Sequence, residues 1–525
     1  MKKTSKFYFI AVVFLFLTLW LGSAPVAASP LDGIKDAVGN IQDRSTFHGF
    51  LQQSVSFNTE DPIETEHDDK WKASMIRSTL YGDIYTDLDW SRWTVRFRYD
   101  LEYPTAYGDR LQDLPNAFDP DGGAKINNRD QLEDFDVREW FGDFQIGKRN
   151  LLRLGKQQVV WGKTDFFSGL DIVNGYDSRW RTFLEPENEQ RRKPLIMANL
   201  TTELPELDGS FQFLFRPGWD RDKDIGNSYD LYGGRWANQP NKGNNFLAPT
   251  VTPYNLDHKK GDQDDPCYGI RWSGVVGDVE YTLNYLHWFS GDPVLNPSET
   301  TFGALGAKHY KEEPKGGLGD LIFKQVDIAG FTVNYYVAPL DIIVRCETSY
   351  TWDAPYNYGK NFGGGALPGF AGVKEKDTVR LMGAFDKDVD FPQWMLGSYR
   401  PGFLSMQVFD TWIMDYKDDD DLVYNVGYGK RREEHETIVT AILSWYYDYD
   451  QIVPQVAGGL DTRGGGGFFI PSVKFAYGNN WRLLVEYDMF FGGHSKKAGE
   501  IEDDCAIFGY FDHNDQLYLR LTYQF

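Results

Sequence analysis

Segments in which apolar and polar residues strictly alternate recur along almost the whole chain, and no other feature restricts the fold as much. In residues 92–101, Trp93, Val95, Phe97, Tyr99 and Leu101 alternate with Arg92, Thr94, Arg96, Arg98 and Asp100. Successive side chains of a strand point to opposite faces, so this is the pattern of a strand with one greasy side and one wet side. Val279, Leu283 and Tyr285 stand against Glu280, Thr282 and Asn284 in the same way, as do Leu483, Val485, Tyr487 and Met489 against Arg482, Glu486 and Asp488. The chain ends on one more such stretch, "LYLRLTYQF", whose last residue is Phe525.

Strands are expected near 47–57, 74–89, 92–103, 132–145, 150–161, 195–204, 210–216, 267–275, 278–289, 322–336, 341–352, 376–386, 402–412, 436–447, 451–458, 468–477, 481–491 and 515–525. Their connections alternate between long and short. "WSR", "GKRN", "PELDG", "VGD", "APLD", "DYD" and "GNN" are short; 58–73, 104–131, 162–194, 217–266, 290–321, 353–375, 413–435, 459–467 and 492–514 are longer, and only 387–401 is a longish connection on the short side. Transmembrane antiparallel β-barrels combine short periplasmic turns, long extracellular loops, an even strand count and both termini on the periplasmic side. A soluble sandwich gives no reason for such an alternation. The expected fold is therefore an all-β transmembrane barrel of about 18 strands, with 16 as the competing count because a weak segment such as 451–458 can drop out. Aromatics at 16% and 53 glycines suit this class. Trp90, Trp93, Trp288, Trp352, Trp412, Trp445, Tyr446 and Trp481 lie near strand ends, where interfacial girdles form.

The N-terminus points to the same compartment. Lys2, Lys3 and Lys6 precede an apolar run from Phe7 to Leu21 and a small-residue stretch, "APVAAS", which together read as a secretory signal peptide over 1–28. A short helical periplasmic segment is expected over 29–45, since Leu31, Ile34, Val38 and Ile41 recur at spacings of three and four; the barrel then occupies 46–525. Losing the three lysines takes the formal charge from −23 to −26, which argues against nucleic acid as a partner. Three cysteines, Cys267, Cys346 and Cys505, are too few for a disulfide scaffold; a Cys267–Cys505 bond and free thiols both stand open.

With the apolar rows facing lipid, the wet rows line the lumen: Arg92, Arg96, Arg98, Arg153, Arg216, Arg345, Arg380, Lys474, Arg482 and Arg520, against Asp100, Glu280, Glu347, Glu486 and Asp488. The strand interiors are thus net basic in an acidic chain, a charge balance that favours anionic solutes. The competing reading is that these arginines are neutralised by carboxylates on neighbouring strands.

The densest stretch runs from Arg153 to Pro194. It carries Asp165, Asp171, Asp177, Glu185, Glu187 and Glu189 together with Arg179, Arg181, Arg191, Arg192 and Lys193, and a loop of this length is expected to fold into the pore as a constriction. Gly155, Lys156, Gln157, Val159, Trp161, Gly162 and Asp165, followed by Asp171 and Asn174, resemble the strand-to-loop motif of a proteobacterial outer-membrane family called domain of unknown function 1302. The stretch "FDKDVDFPQWMLGSYRPGFLSMQVFDTW" is similar to a late-strand segment of that family, and the first motif is more distantly similar to alginate-export barrels. The resemblance implies an envelope transport role without naming a cargo. It also implies that the terminal aromatic is read by the outer-membrane insertion machinery.

These features point to a porin-like channel or envelope transport protein of a Gram-negative outer membrane, passing small or polymeric anionic solutes. Its expected partners are outer-membrane lipid, lipopolysaccharide, the insertion machinery and the diffusing solute. A surface structural or adhesion barrel is the alternative, and an outer-membrane lipid hydrolase a more remote one, since His287 falls on the outward row and His48 has no evident serine partner. No cofactor or metal is expected: the acidic loops lack the spacing of a calcium loop.

Overall fold

The computed structural model describes residues 43–525 apart from 66, 116–131, 168, 186, 231–234, 237–251, 425–429, 464 and 493–507. The signal-peptide stretch, the expected helix over Leu31, Ile34, Val38 and Ile41, and Cys505 lie outside the described residues. Cys267 and Cys346 are free thiols.

Eighteen long strands form one sheet. In chain order they are β1 (Ser45–Asn58), β2 (Ala73–Leu88), β3 (Ser91–Glu102), β4 (Asp134–Ile146), β5 (Asn150–Gln157), β6 (Leu195–Leu204), β7 (Gly209–Arg216), β8 (Cys267–Val276) and β9 (Val279–Phe289). The second half comprises β10 (Gln325–Val337), β11 (Ile342–Tyr358), β12 (Gly372–Val389), β13 (Gly402–Ile413), β14 (His435–Ser444), β15 (Ile452–Asp461), β16 (Gly467–Tyr477), β17 (Trp481–Phe491) and β18 (Gln516–Gln524). Each pairs antiparallel with the next, and β18 pairs with β1 over Phe50↔Gln524 to Asn58↔Gln516, so the sheet closes and leaves no edge. Phe525 and Gly49 exchange backbone hydrogen bonds at 3.0 Å to finish the seam.

The expected count of 18 holds, and the segment near 451–458 is a full member of the wall. Three boundaries move by about four residues or more. The fifth strand stops at Gln157 instead of continuing to Trp161, because the chain turns into the barrel there. The eleventh and twelfth extend to Tyr358 and back from Gly372, leaving only 359–371 between them. The long connection 387–401 contains a helix, Phe391–Leu396, with Pro392 in its first turn. Short turns use residues that tolerate positive φ, such as Gly277 (φ 59°) in "VGD" and Asp208 (φ 47°) in "PELDG".

Alternation sorts the side chains by face. Leu51, Leu154, Phe213, Phe215, Ile270, Leu283, Phe331, Leu381, Phe385, Val408, Phe469, Leu483 and Leu521 are all exposed on the outer surface, so an apolar belt runs around the cylinder. A continuous belt of this extent fits hydrocarbon and not water. Among the described residues no helix is long and apolar enough to cross a membrane. Trp90, Trp93, Trp352 and Trp481 are exposed on the outside as expected of a girdle, but Trp288 is not: it is 2% exposed, points inward and donates from its indole nitrogen to the Val173 carbonyl at 2.9 Å.

Candidate functional site: the barrel interior

At the end of β5 the backbone leaves the wall. Gly155 has φ 132°, and a Cβ there would collide with the backbone carbonyl of Trp140 on β4, so the position requires glycine. Gln157 braces the departure by donating to the Met197 carbonyl at 3.0 Å and accepting from Asn199 at 3.1 Å, both on β6. Lys156 turns its ammonium towards Asp224 at 3.1 Å and Asp136 at 3.5 Å. Asn174 ties the two arms of the loop together, accepting from the Val159 amide at 2.7 Å and donating to the Lys193 carbonyl at 2.9 Å. Gly175–Tyr176 and Arg192–Lys193 pair as a small ribbon.

The loop 158–194 bonds to inward-facing residues on opposite sides of the cylinder. Trp161 is fully buried, and its indole nitrogen donates to Gln212 on β7 at 2.8 Å. Gly162 packs against Asp171 with no room for a Cβ. Glu347 on β11 accepts from the backbone amides of Lys163, at 2.8 Å, and Leu170. Asp165 pairs with Arg345 at 3.0 Å and accepts from Gln407 on β13. Further on, Arg181 pairs with Glu486 at 2.5 Å and Asp488 at 3.0 Å on β17, and Arg520 on β18 pairs with Glu185 at 2.6 Å. On β3 and β4, Arg98 and Arg138 donate to the backbone carbonyls of Gln190 and Glu189. The loop therefore spans the interior.

Most arginines of the wet rows face inward and meet carboxylates. Arg98 and Arg77 share Asp100, at 2.8 and 3.0 Å; Arg96 reaches Glu139 at 2.5 Å, Asp83 at 3.1 Å and Glu189 at 3.3 Å. Arg153 pairs with Asp143 at 2.6 Å, Arg92 with Asp87 at 2.6 Å, and Arg345 with Asp386 at 2.8 Å, not with Glu347. Arg216 is fully buried against Asp220 and the carbonyls of Gln263 and Asp265, so it secures a long loop and lines no open lumen. Lys474 and Arg482 lie at the short-turn end, where Arg482 donates to the Gly478 carbonyl at 3.2 Å. Arg179 folds back on Asp177 at 2.7 Å. Arg138, Arg191, Arg271 and Arg380 have no carboxylate partner among the described residues.

Two groups in the loops are shifted by their surroundings. Burial pushes the Lys193 amine down to about 7, with Asp177 and Asp224 opposing that fall; its ammonium donates to the Ile225 carbonyl at 3.0 Å and Ser228 at 2.7 Å. Burial pushes the Asp230 carboxyl up to about 8.

The inner wall is not wet all round. Met382 and Ala384 on β12, Phe409 on β13, Ile438 and Ile442 on β14, Ala457 on β15, Phe468 and Ile470 on β16 and Phe490 on β17 form a continuous apolar sector. Phe166, Phe167 and Phe183 of the loop face it, with Phe167–Phe409 ring centres 5.4 Å apart and Phe183–Phe468 4.9 Å apart. Strict alternation concealed this sector. Its sequence signal is that strands such as "TIVTAILS" and "GFFIPSV" are apolar on both faces. A cavity of about 610 Å³ lies on the short-turn side of the loop, lined by Arg92, Arg96, Arg153, Arg192, Glu139 and Asp143. Another of about 350 Å³ lies on the long-loop side, against the apolar sector. Arg192 lines the first and Asp171 the second, and their 2.9 Å contact joins the two sides.

A closed 18-stranded membrane-type barrel crossed internally by the β5–β6 loop defines the class. Within it, the chain belongs to the family described as "Protein of unknown function (DUF1302)", whose model matches residues 56–525. That match shows this family and not the more distant similarity to alginate-export barrels. No curated protein matches the chain. Solved structures similar to it include Salmonella typhi OmpF in complex with daunomycin (10% identity, TM-score 0.41, covering 92% of this chain and 97% of that one). Acinetobacter baumannii OccAB1 has 9% identity and a TM-score of 0.43 over 92% and 96% of the two chains; Pseudomonas aeruginosa OccK8 (OprE) has 9% and 0.42 over 92% and 98%. At these values the strand pairings themselves, not the likeness, define the fold.

Proposed function

We propose that the protein is a porin-like, non-enzymatic channel of the outer membrane, in which the loop 158–194 narrows the lumen and unpaired arginines favour anionic solutes. The observation that carries this reading is the loop's anchorage on opposite walls, by Glu347 on one side and by Glu486, Asp488 and Arg520 on the other. Support for anion preference comes from Arg138, Arg191, Arg271 and Arg380, which form no ion pair with a carboxylate among the described residues, since such fixed cations lower the barrier to negative solutes. The residues at the narrowing are those of the Gly155–Asn174 motif together with Arg179 and Arg181. Lipid and lipopolysaccharide surround the outer belt, and the C-terminal strand ending in Phe525 serves insertion after removal of residues 1–28.

The test is conductance of the purified barrel in a planar bilayer under a salt gradient. The expected result is an open, anion-selective channel whose conductance rises clearly when residues 166–190 are deleted. A silent barrel, cation selectivity or an unchanged conductance in the deletion overturns the reading.

A further inference from the structure

The cavity on the long-loop side of the inward loop has two unlike parts. Phe167, Phe183, Phe409 and Phe508 form one part, with Phe167–Phe508 and Phe183–Phe508 ring centres 6.1 and 5.5 Å apart. Arg380 and Arg191 lie in the other. Arg380 on β12 faces inward between Ser349 on β11 and Thr411 on β13, two uncharged neighbours, and makes no ion pair or side-chain hydrogen bond among the described residues. Arg191 donates to Ser178 at 3.0 Å and has its guanidinium 5.2 Å from the Tyr176 ring, again with no ion pair to a carboxylate among the described residues. Each of the five acids lining this cavity has another partner: Asp171 pairs with Arg192, Glu436 with Arg432 at 2.7 Å, Asp292 accepts from Asn227 and Tyr229 at 2.8 and 2.5 Å, Asp410 accepts from Thr437 at 2.6 Å and meets His435 at 2.8 Å, and Asp461 accepts from the Arg463 amide at 3.0 Å.

An inward arginine with no ion pair or side-chain hydrogen bond among the described residues stands out in a wall whose other arginines are mostly paired, and the phenylalanines give the same cavity an apolar side. The two features together match one kind of solute. We propose that this cavity binds amphipathic organic anions, with the carboxylate or other acidic head on Arg380, assisted by Arg191, and the apolar body against Phe167, Phe183 and Phe409. This deepens the channel reading and rests on it, since it names the class of anion admitted from the long-loop side.

Equilibrium dialysis of radiolabelled decanoate against the barrel held in amphipol tests the site, with amphipol alone as background. Acetate supplies the head without the tail, and decyltrimethylammonium the tail with the opposite charge. Saturable retention of decanoate, with little of either control, is expected. Arg380→Gln should weaken it about tenfold or more, Arg380→Lys by much less, and Phe167→Ser should weaken decanoate without creating acetate binding. Thermal melting of each variant verifies that it is folded. Absence of decanoate retention, equal retention of the ammonium, or an unchanged Arg380→Gln overturns the proposal. A conducting, anion-selective barrel that retains no decanoate sinks this inference alone, whereas a silent barrel sinks the channel reading.

Discussion

The guanidinium of Arg181 in the inward loop lies 3.7 Å from the ring centre of Tyr518 on the last strand, while its nitrogens reach Glu486 and Asp488 on β17. Arg181 and Tyr518 are 1% and 0% exposed, so the loop after the fifth strand is fastened to the eighteenth inside the barrel.

Replacing Arg181 by alanine leaves two buried carboxylates without their cation. Removing one member of a buried pair costs about 3–5 kcal/mol. The expected outcome is a barrel that still inserts but melts at lower temperature, with larger and noisier single-channel currents. Calorimetry and bilayer recording check the two effects, and currents like the wild type's would show that this anchor does not hold the loop.

Glu347 holds the opposite end through the amides of Lys163 and Leu170. Glu347→Ala strands those donors, at about 1–3 kcal/mol for each buried group left without a partner. Faster hydrogen exchange at 163–170, without change in β11, is the expected signature by mass spectrometry.

Gly155→Ala places a methyl group where the Trp140 carbonyl already sits, in a backbone conformation that L-residues rarely adopt. The β4–β5 pair must open to accommodate it. Refolding yield, read by heat-modifiable gel migration, should fall, while Gly277→Ala, in an open turn with φ 59°, should fall much less.

Acid should loosen the loop through Lys193. Its folded value, about 7, lies below the ordinary lysine value of 10.5, so the buried amine favours the folded seat fully above the ordinary value; that contribution declines as pH falls and is gone once pH has passed below the folded value. Asp177 and Asp224 face the amine and favour its charged form, whereas Arg179 and Lys223 oppose it. Current fluctuations should therefore increase from pH 9 to pH 6, and Lys193→Met should flatten that dependence. A variant with the wild-type pH profile would assign the response to another group.

The wall is legible in the sequence alone. A period of two fixes which side chains share a face, and the alternation of turn lengths fixes the sidedness of the connections, so all eighteen strands and the inward placement of Arg96, Arg98 and Arg520 follow from local pattern. The pairing of those arginines was not legible, because it depends on register between strands that the alternation leaves free. Arg345 shows the difference: Glu347 is its neighbour along the strand, yet its partners are Asp386 across the sheet and Asp165 from the loop.

The interior was decided by tertiary structure for the same physical reason. Trp288 reads as a girdle residue from its place near a strand end, although the alternation along β9 puts it on the inward row of Thr282 and Asn284; what only the tertiary structure supplies is its acceptor, the carbonyl of Val173, distant in sequence. Phe167, Phe183 and Phe468 come from separate segments and become one apolar sector only when the cylinder closes around the loop. Sequence by itself determined the barrel, since strand faces are set by neighbours two residues apart. What the lumen presents to a solute depends on contacts between residues hundreds of positions apart, and closure of the sheet alone brings those together.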